Sequence, residues 1–108
     1  MKKVLFDQGT PVPLRDFLPG HDVQVAFECG WGKLKNGALL TAAESGGFDC
    51  MVTTDKNIAY QQNLSRRKIA LVVLPTTNWP KLTGITDVIA QAVADIGVGG
   101  YVEVGFPE

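Results

Sequence analysis

The feature that most constrains the fold is an apolar segment at residues 68–74, where one lysine is followed by six consecutive apolar residues. A run of this kind is typical of a strand that is buried on both faces of a parallel sheet. Four further segments with strand character begin near residues 3, 22, 50 and 101. Helical segments and short loops alternate with these strands. This order predicts an α/β fold, a three-layer α/β/α sandwich with a mostly parallel central sheet.

Helix signals fill the gaps between the predicted strands. Thr10 is placed as the N-cap of a first helix with Pro11 in its first turn, and Asn36 as the N-cap of a second helix that runs to about residue 45. A short helix is predicted over residues 58–63. Pro80 opens the longest helix, whose core-facing stripe recurs at helical spacing and consists of Ile85, Val88, Ile89, Ala92, Val93 and Ile96.

Composition restricts the class of protein further. The 108 residues are expected to form a single domain, and their hydrophobic content of 45% is too high for a disordered chain. The formal net charge of -1 gives no whole-molecule attraction for nucleic acid or for an anionic membrane. No apolar run approaches the roughly 20 residues that span a bilayer, so no membrane partner is expected. Cys29 and Cys50 lack metal-ligand spacing and are expected to be reduced thiols in a cytoplasmic protein.

Two aspartates stand where predicted strands end. Asp7 directly follows the first strand, and Asp55 follows the third strand after a pair of threonines. Ligands of parallel α/β sheets bind beyond the carboxyl ends of the strands, so the two carboxylates are candidates for one shared site. Paired carboxylates suit Mg²⁺ or Mn²⁺, which prefer oxygen ligands and can activate a water against a phosphodiester. The alternative is that each aspartate only forms a turn or caps a helix.

Four short motifs resemble a known family. Residues 4–9 (VLFDQG), 20–23 (GHDV), 36–40 (NGALL) and 53–57 (TTDKN) occur in this order at these spacings. Together they resemble the small bacterial PIN-like domains that are grouped with toxin-antitoxin systems and are related to VapC-type ribonucleases. The resemblance covers roughly the first 75 residues. It implies a Rossmann-like sandwich, metal-dependent RNA cleavage and an antitoxin protein as partner.

The resemblance also assigns roles to residues of this chain. It makes Asp7 and Asp55 the catalytic and metal-binding acids, with Thr54, Asn36 and Asn57 in supporting positions. Asn36 and Asn57 stand where many relatives carry acids, and amides bring no charge to offset a divalent cation. A site with two carboxylates is therefore expected to bind Mg²⁺ or Mn²⁺ less tightly than a site with four.

Other side chains extend this candidate site. Glu28 lies in the loop after the second strand and is a weaker candidate for a third metal ligand, whereas Glu44 reads as a solvated helix charge. Basic residues on nearby loops are candidates for contacts with RNA phosphates. They are Lys33, Lys35, Lys56, Arg66 and Arg67. Tyr60 to Asn63 offer a polar surface that a single-stranded base could touch, and His21 is expected to bond the backbone in a turn.

Two further functions remain open at this point. The amides at Asn36 and Asn57 are also compatible with a non-catalytic binding module that keeps the fold and binds a protein or RNA partner. A third alternative is a structural homodimer that uses Trp79, Tyr101 and the last strand as its interface.

Overall fold

The computed structural model describes residues 1–58 and 67–107, and the strands within these ranges form one sheet. The strands are Lys3–Phe6 (β1), Asp22–Val25 (β2), Cys50–Thr53 (β3), Ala70–Val73 (β4) and Tyr101–Glu103 (β5). They lie in the order β2-β1-β3-β4-β5, and every neighbouring pair is parallel. The predicted α/β class is confirmed, and the last strand runs parallel at one edge.

Helices connect these strands. A 3₁₀ helix, Val12–Phe17, joins β1 to β2, and helix α1, Asn36–Ser45, joins β2 to β3. Between β4 and β5 lie helix α2, Trp79–Leu82, a 3₁₀ turn, Thr83–Ile85, and helix α3, Thr86–Asp95. Across the described residues, no helix combines the length and apolar character that a bilayer crossing requires.

The sheet separates two apolar cores, because successive strand residues point to opposite faces. Phe6 and Val72 face the core beneath α3 and the first 3₁₀ helix, whereas Leu5, Met51 and Leu71 face the core beneath α1. Every residue of β3 and β4 is buried. This burial on both faces explains why the two strand sequences are nearly all apolar.

The strand order reverses at β1. The chain leaves β1 for β2 on one side, while β3, β4 and β5 follow on the other side. The crevice beyond the carboxyl ends of β1 and β3 is therefore the topological switch point of the sheet, where ligands of such folds bind. Phe6 pairs with Val52 in the parallel register. The residues that follow these two strands consequently emerge side by side.

Two predicted helix starts are wrong by one position. Pro11, not Thr10, occupies the N-cap of the first helix, and Thr10 is buried with its hydroxyl turned toward Asp7. That helix is 3₁₀ rather than α, and the N–H of Leu14 donates to the carbonyl oxygen of Pro11, three residues back, at 3.2 Å. Lys35 occupies the N-cap of α1, and Asn36 is its first helical residue. The Asn36 amide reaches Asp55 instead of capping the helix.

The predicted long helix is shorter and interrupted. It begins at Trp79, with the side chain of Asn78 as its N-cap. A 3₁₀ turn around Gly84 separates α2 from α3. Glycine is a poor helix former, which accounts for the break there. The apolar stripe is also narrower than predicted. Ile89 and Val93 are buried, whereas Val88 is 46% exposed.

Two further predictions concern the helix at residues 58–63 and the two cysteines. Most of the short helix predicted over residues 58–63 lies outside the described residues. Both cysteines are free, as expected. Burial raises the pKa of the Cys50 thiol to about 12, so this thiol stays protonated at neutral pH.

Candidate functional site

The two candidate aspartates lie at the same edge of the sheet. Asp7 extends the pairing of β1 with β3, because its N–H donates to the carbonyl oxygen of Val52 at 3.2 Å. Thr53 ends β3, and Asp55 follows two residues later. The sequence signal behind this placement is the polar residue that directly follows each buried strand. Since β1 and β3 are parallel neighbours, both aspartates lie at the switch point.

Hydroxyl groups surround the Asp7 carboxyl group. The Thr10 hydroxyl lies 2.8 Å from Oδ1 of Asp7, and the Thr53 hydroxyl donates to Oδ2. Burial raises the pKa of Asp7, although the bonds from Thr53, Thr10 and the backbone of Gly9 and Thr10 oppose that rise. The protonated form of Asp7 is therefore more favoured in the folded protein than it is for an aspartate in water.

The two hydrogen bonds of the Thr10 hydroxyl also agree with a raised pKa of Asp7. Its hydroxyl lies 2.8 Å from Oδ1 of Asp7 and also 2.8 Å from the carbonyl oxygen of Val52. A hydroxyl has one proton and can donate to only one of these acceptors. Both contacts are satisfied together when Asp7 carries a proton on Oδ1 and donates it to Thr10, which then donates to Val52.

Thr53 links the two aspartates. Its hydroxyl donates to Oδ2 of Asp7 and accepts the main-chain N–H of Asp55 at 3.1 Å. Thr53 has no exposed surface, so this bridge is shielded from water. A buried threonine at the end of a strand carries no distinctive sequence signal, and both Thr10 and Thr53 were missed as site residues for that reason. For Thr53, the only sequence signal is its position in the TTD triplet before Asp55.

The Asp55 carboxylate is bound on both oxygens. Oδ1 accepts the N–H of Asn57 at 2.9 Å, and Oδ2 accepts the side-chain amide of Asn36 at 2.5 Å. The first bond is a local turn bond of the kind that aspartates make in loops. The second joins the loop after β3 to the first turn of α1. Asp55 therefore forms a turn and also belongs to the shared site.

Close backbone packing completes this edge. Gly9 lies against Thr54, because a Cβ atom at position 9 would stand 2.5 Å from the Thr54 hydroxyl oxygen. A side chain at position 9 would displace Thr54, which is half-buried. The loop after β1 thus lies directly on the loop after β3, and Thr54 helps to hold the two aspartate-bearing loops together.

Glu28 is bound elsewhere. Its Oε1 accepts from Arg15 at 2.7 Å and from the N–H of Val25 at 3.2 Å. These bonds lower the pKa of Glu28, the bond from Arg15 most. Within residues 1–58 and 67–107, no group of three histidine, cysteine or acidic side chains could hold a metal ion. Glu28 therefore does not add a third carboxylate to Asp7 and Asp55.

The predicted basic residues divide into two groups. Lys33, Lys35 and Lys56 are exposed on loops at the carboxyl edge, next to the aspartates. Arg67 precedes β4 at the opposite edge, where it donates to Glu44 at 2.6 Å and to the Thr41 hydroxyl at 3.2 Å. Arg66 and residues 60–63 lie outside the described residues.

Two predictions about the amino edge can be compared with the structure. The prediction that Glu44 is a solvated charge is wrong, because this half-buried side chain pairs with Arg67 and accepts the N–H of Lys68 at 3.0 Å. The predicted backbone contact of His21 is confirmed, since its Nδ1 accepts the N–H of Lys2 at 3.0 Å.

Comparisons of this chain with protein-family models, with curated proteins and with solved structures find no match. Its function is therefore inferred from the residues at the switch point.

Proposed function

We propose that this protein is a metal-dependent ribonuclease of the PIN-like type, with Asp7 and Asp55 as its acidic pair. The observation that supports this most directly is the Thr53 hydroxyl, which bonds both aspartates at the switch point. Asp7 and Asp55 are 48 residues apart in the sequence but lie at the same edge of the sheet, and ligands of such sheets bind at this position.

The donor set suits a hard divalent cation. The two carboxylates and the neighbouring threonine hydroxyls offer only oxygen, which Mg²⁺ and Mn²⁺ prefer. When bound, such an ion stabilises charge on a phosphodiester and lowers the pKa of a water. Asp7 and Asp55 supply the negative charge that holds the ion. Asn36 fixes the orientation of Asp55 by its 2.5 Å bond.

The exposed lysines at this edge are the reason for proposing RNA as the substrate. Lys33, Lys35 and Lys56 are exposed, and in this proposal they contact phosphates of an RNA strand that enters the crevice. Such contacts position the strand without reading its sequence. The expected activity is consequently salt-sensitive, as is usual for phosphate-mediated binding.

Cleavage of RNA tests the proposal. The native chain is expected to cleave single-stranded RNA in the presence of Mn²⁺, and both Asp7→Asn and Asp55→Asn are expected to reduce the rate about 100-fold or more. Asp87→Asn is the matched control, because Asp87 is exposed on α3 away from the crevice. Cleavage at equal rates by all four proteins would show that the activity arises from a contaminant or another site.

A second candidate function is a PIN-like binding module without catalysis. It is favoured by the hydrogen bonds that already reach both oxygens of Asp7 and both oxygens of Asp55. Such a module would show no heat of binding with millimolar Mn²⁺, yet it would retain a protein or RNA partner. Metal binding that depends on Asp55 would exclude it.

The family resemblance extends the proposal to partners. In that extension the protein is a toxin that an antitoxin protein neutralises, and the chain pairs as a homodimer. Expression of the native chain is then expected to arrest bacterial growth, and expression of Asp55→Asn is not. Light scattering during gel filtration measures the proposed dimer directly.

A further inference from the structure

An exposed aromatic ring lies at the same edge of the sheet as the aspartate pair. Phe27 follows β2, and its side chain is 77% exposed. The preceding residue, Ala26, donates its N–H to the carbonyl oxygen of Phe6 at 2.8 Å, so the Phe27 loop emerges next to Asp7. The apolar ring therefore stands in water at the edge of the sheet where a ligand is expected.

The ring forms one wall of a groove. The groove has a volume of about 410 Å³, and Val12, which is 50% exposed, lies across it. Its lining residues are Gln8, Thr10, Val12, Val25, Phe27 and Glu28. Thr10 joins the groove to the aspartates, because its hydroxyl lies 2.8 Å from Oδ1 of Asp7. A molecule in the groove would consequently touch the side of the candidate site.

The backbone holds Phe27 in a fixed turn. Gly30 donates to the carbonyl oxygen of Phe27 at 3.1 Å, and Trp31 donates to that of Ala26 at 2.9 Å. Gly32 packs behind the ring, where a Cβ atom would stand 3.4 Å from Cδ2 of Phe27. The Gln8 amide donates to the Gly32 carbonyl oxygen and closes this wall. A ring held in place before binding loses little entropy when a ligand stacks on it.

The charges around the groove suit a nucleotide. The Glu28 carboxylate is paired with Arg15 at 2.7 Å, which reduces its repulsion of a phosphate. Lys33 and Lys35 are exposed on the loop that continues from Gly32. An aromatic wall beside cationic side chains is how proteins bind single-stranded nucleic acid, the ring stacking a base and the cations contacting the backbone.

We infer that the groove between Phe27 and Val12 binds one unpaired base of a single-stranded RNA, stacked on the Phe27 ring. The inference rests on the proposed ribonuclease function and adds the place where a base of the RNA binds. With one base in the groove, the adjoining phosphate lies toward Asp7 and Asp55. Double-stranded RNA keeps its bases stacked on one another and cannot fill the groove.

Binding without cleavage tests the inference. Fluorescence anisotropy of a labelled single-stranded RNA, in EDTA, measures affinity independently of any metal chemistry. Phe27→Ala is expected to weaken binding about 5- to 100-fold, and Phe27→Trp to retain it, because any aromatic ring can stack a base. Phe106→Ala is the matched control. Phe106 is 45% exposed but follows β5 at the far side of the sheet, and its loss is expected to leave affinity unchanged.

The outcomes separate the groove from the catalytic proposal. Equal affinities of the native chain and Phe27→Ala, or equal binding of duplex and single-stranded RNA, would overturn the groove while leaving metal-dependent cleavage to be judged by Asp55→Asn. RNA binding that depends on Phe27, in a chain that cleaves nothing with Mn²⁺, would support the groove and remove the ribonuclease. If Phe27→Ala does not fold, tryptophan emission decides: saturating RNA should quench Phe27→Trp more than the native chain, which contains Trp31 and Trp79, and equal quenching of the two proteins would overturn the inference.

Discussion

The acidic side chains at the two edges of the sheet have different bonding partners. At the amino edge, Glu44 pairs with Arg67 at 2.6 Å, and Asp49 accepts the N–H of Lys3 at 2.8 Å while the Lys3 ammonium donates to Gly46 at 2.7 Å. At the carboxyl edge, Asp7 and Asp55 are bonded by hydroxyl, amide and main-chain groups. Among the described residues, no salt bridge involves either aspartate.

This difference supports the proposal that a ligand binds at the carboxyl edge. A carboxylate next to an arginine has its charge balanced within the protein, so it needs no further partner. Neutral donors orient the Asp7 and Asp55 carboxyl groups but leave their charge to be balanced by a proton or a cation. Asp49 at the amino edge is likewise bonded by a main-chain N–H, so the lack of a salt bridge does not by itself identify a site. What distinguishes Asp7 and Asp55 is that the Thr53 hydroxyl bonds both residues at the switch point of the sheet.

The largest expected effect on stability comes from the bridge at the carboxyl edge. Thr53→Val keeps the side-chain shape but removes the hydroxyl donor to Oδ2 of Asp7 and leaves the Asp55 N–H without this acceptor. Each buried unsatisfied group costs about 1–3 kcal/mol, so a loss of about 3 kcal/mol in the free energy of unfolding is expected. Urea denaturation measures it. Thr77→Val, at an exposed loop position, should change stability by less than about 0.5 kcal/mol.

A smaller effect is expected from the charge pair at the amino edge. Burial raises the pKa of Glu44, but bonds from the Lys68 N–H and from Arg67 outweigh burial, and the net pKa is lowered. The pair therefore stabilises the fold above the unfolded pKa of glutamate, and this contribution is lost as pH falls through the lowered folded pKa. Glu44→Gln should cost about 1 kcal/mol at pH 7 and converge with the native chain in acid.

A matched exposed pair sharpens that prediction. Glu28 and Arg15 are 2.7 Å apart, close to the 2.6 Å of Glu44 and Arg67, but the Glu28 side chain is 53% exposed against 27% for Glu44. Water and salt screen an exposed pair, so Glu28→Gln should cost less than Glu44→Gln. Equal costs would show that the difference in burial between the two pairs has no energetic consequence.

The smallest expected effect is on the pH dependence of the carboxyl edge. Because the folded pKa of Asp7 is raised, its contribution to stability is present below the unfolded pKa and is lost as pH rises through the folded pKa. An asparagine amide can donate to Thr10 and accept from Thr53, as protonated Asp7 does. Asp7→Asn should match the native chain in acid and exceed it at neutral pH. Thermal unfolding across pH measures this, and a native chain that gains stability over Asp7→Asn as pH rises would contradict it.

The sequence was most informative where burial dictates residue type. The apolar segments of β1 and β3 are almost fully buried, so their runs located the strands closely and placed Asp7 and Asp55 after the strand ends. Parallel pairing then brings these two residues together. No similar rule connects Thr10 or Thr53 with Asp7, because their contact depends on how two loops pack in three dimensions.

Exposed positions were the least predictable part of the chain. Val88 follows the helical apolar period, yet it faces a groove instead of the core. Phe27 belongs to a loop without periodicity, and only the structure places its ring in one groove with Thr10. Arg67 stood in a basic run that suggested phosphate contacts, but its partner Glu44 is distant in sequence and could not be predicted from that run.

Calorimetric titration with Mn²⁺ at pH 8 tests the central claim that Asp7 and Asp55 hold one cation together. The native chain is expected to bind a single ion. Asp7→Asn and Asp55→Asn are each expected to abolish the heat of binding at millimolar Mn²⁺, whereas Asp87→Asn retains it. Binding of Mn²⁺ that is the same in the native chain and in both edge variants would contradict a shared site.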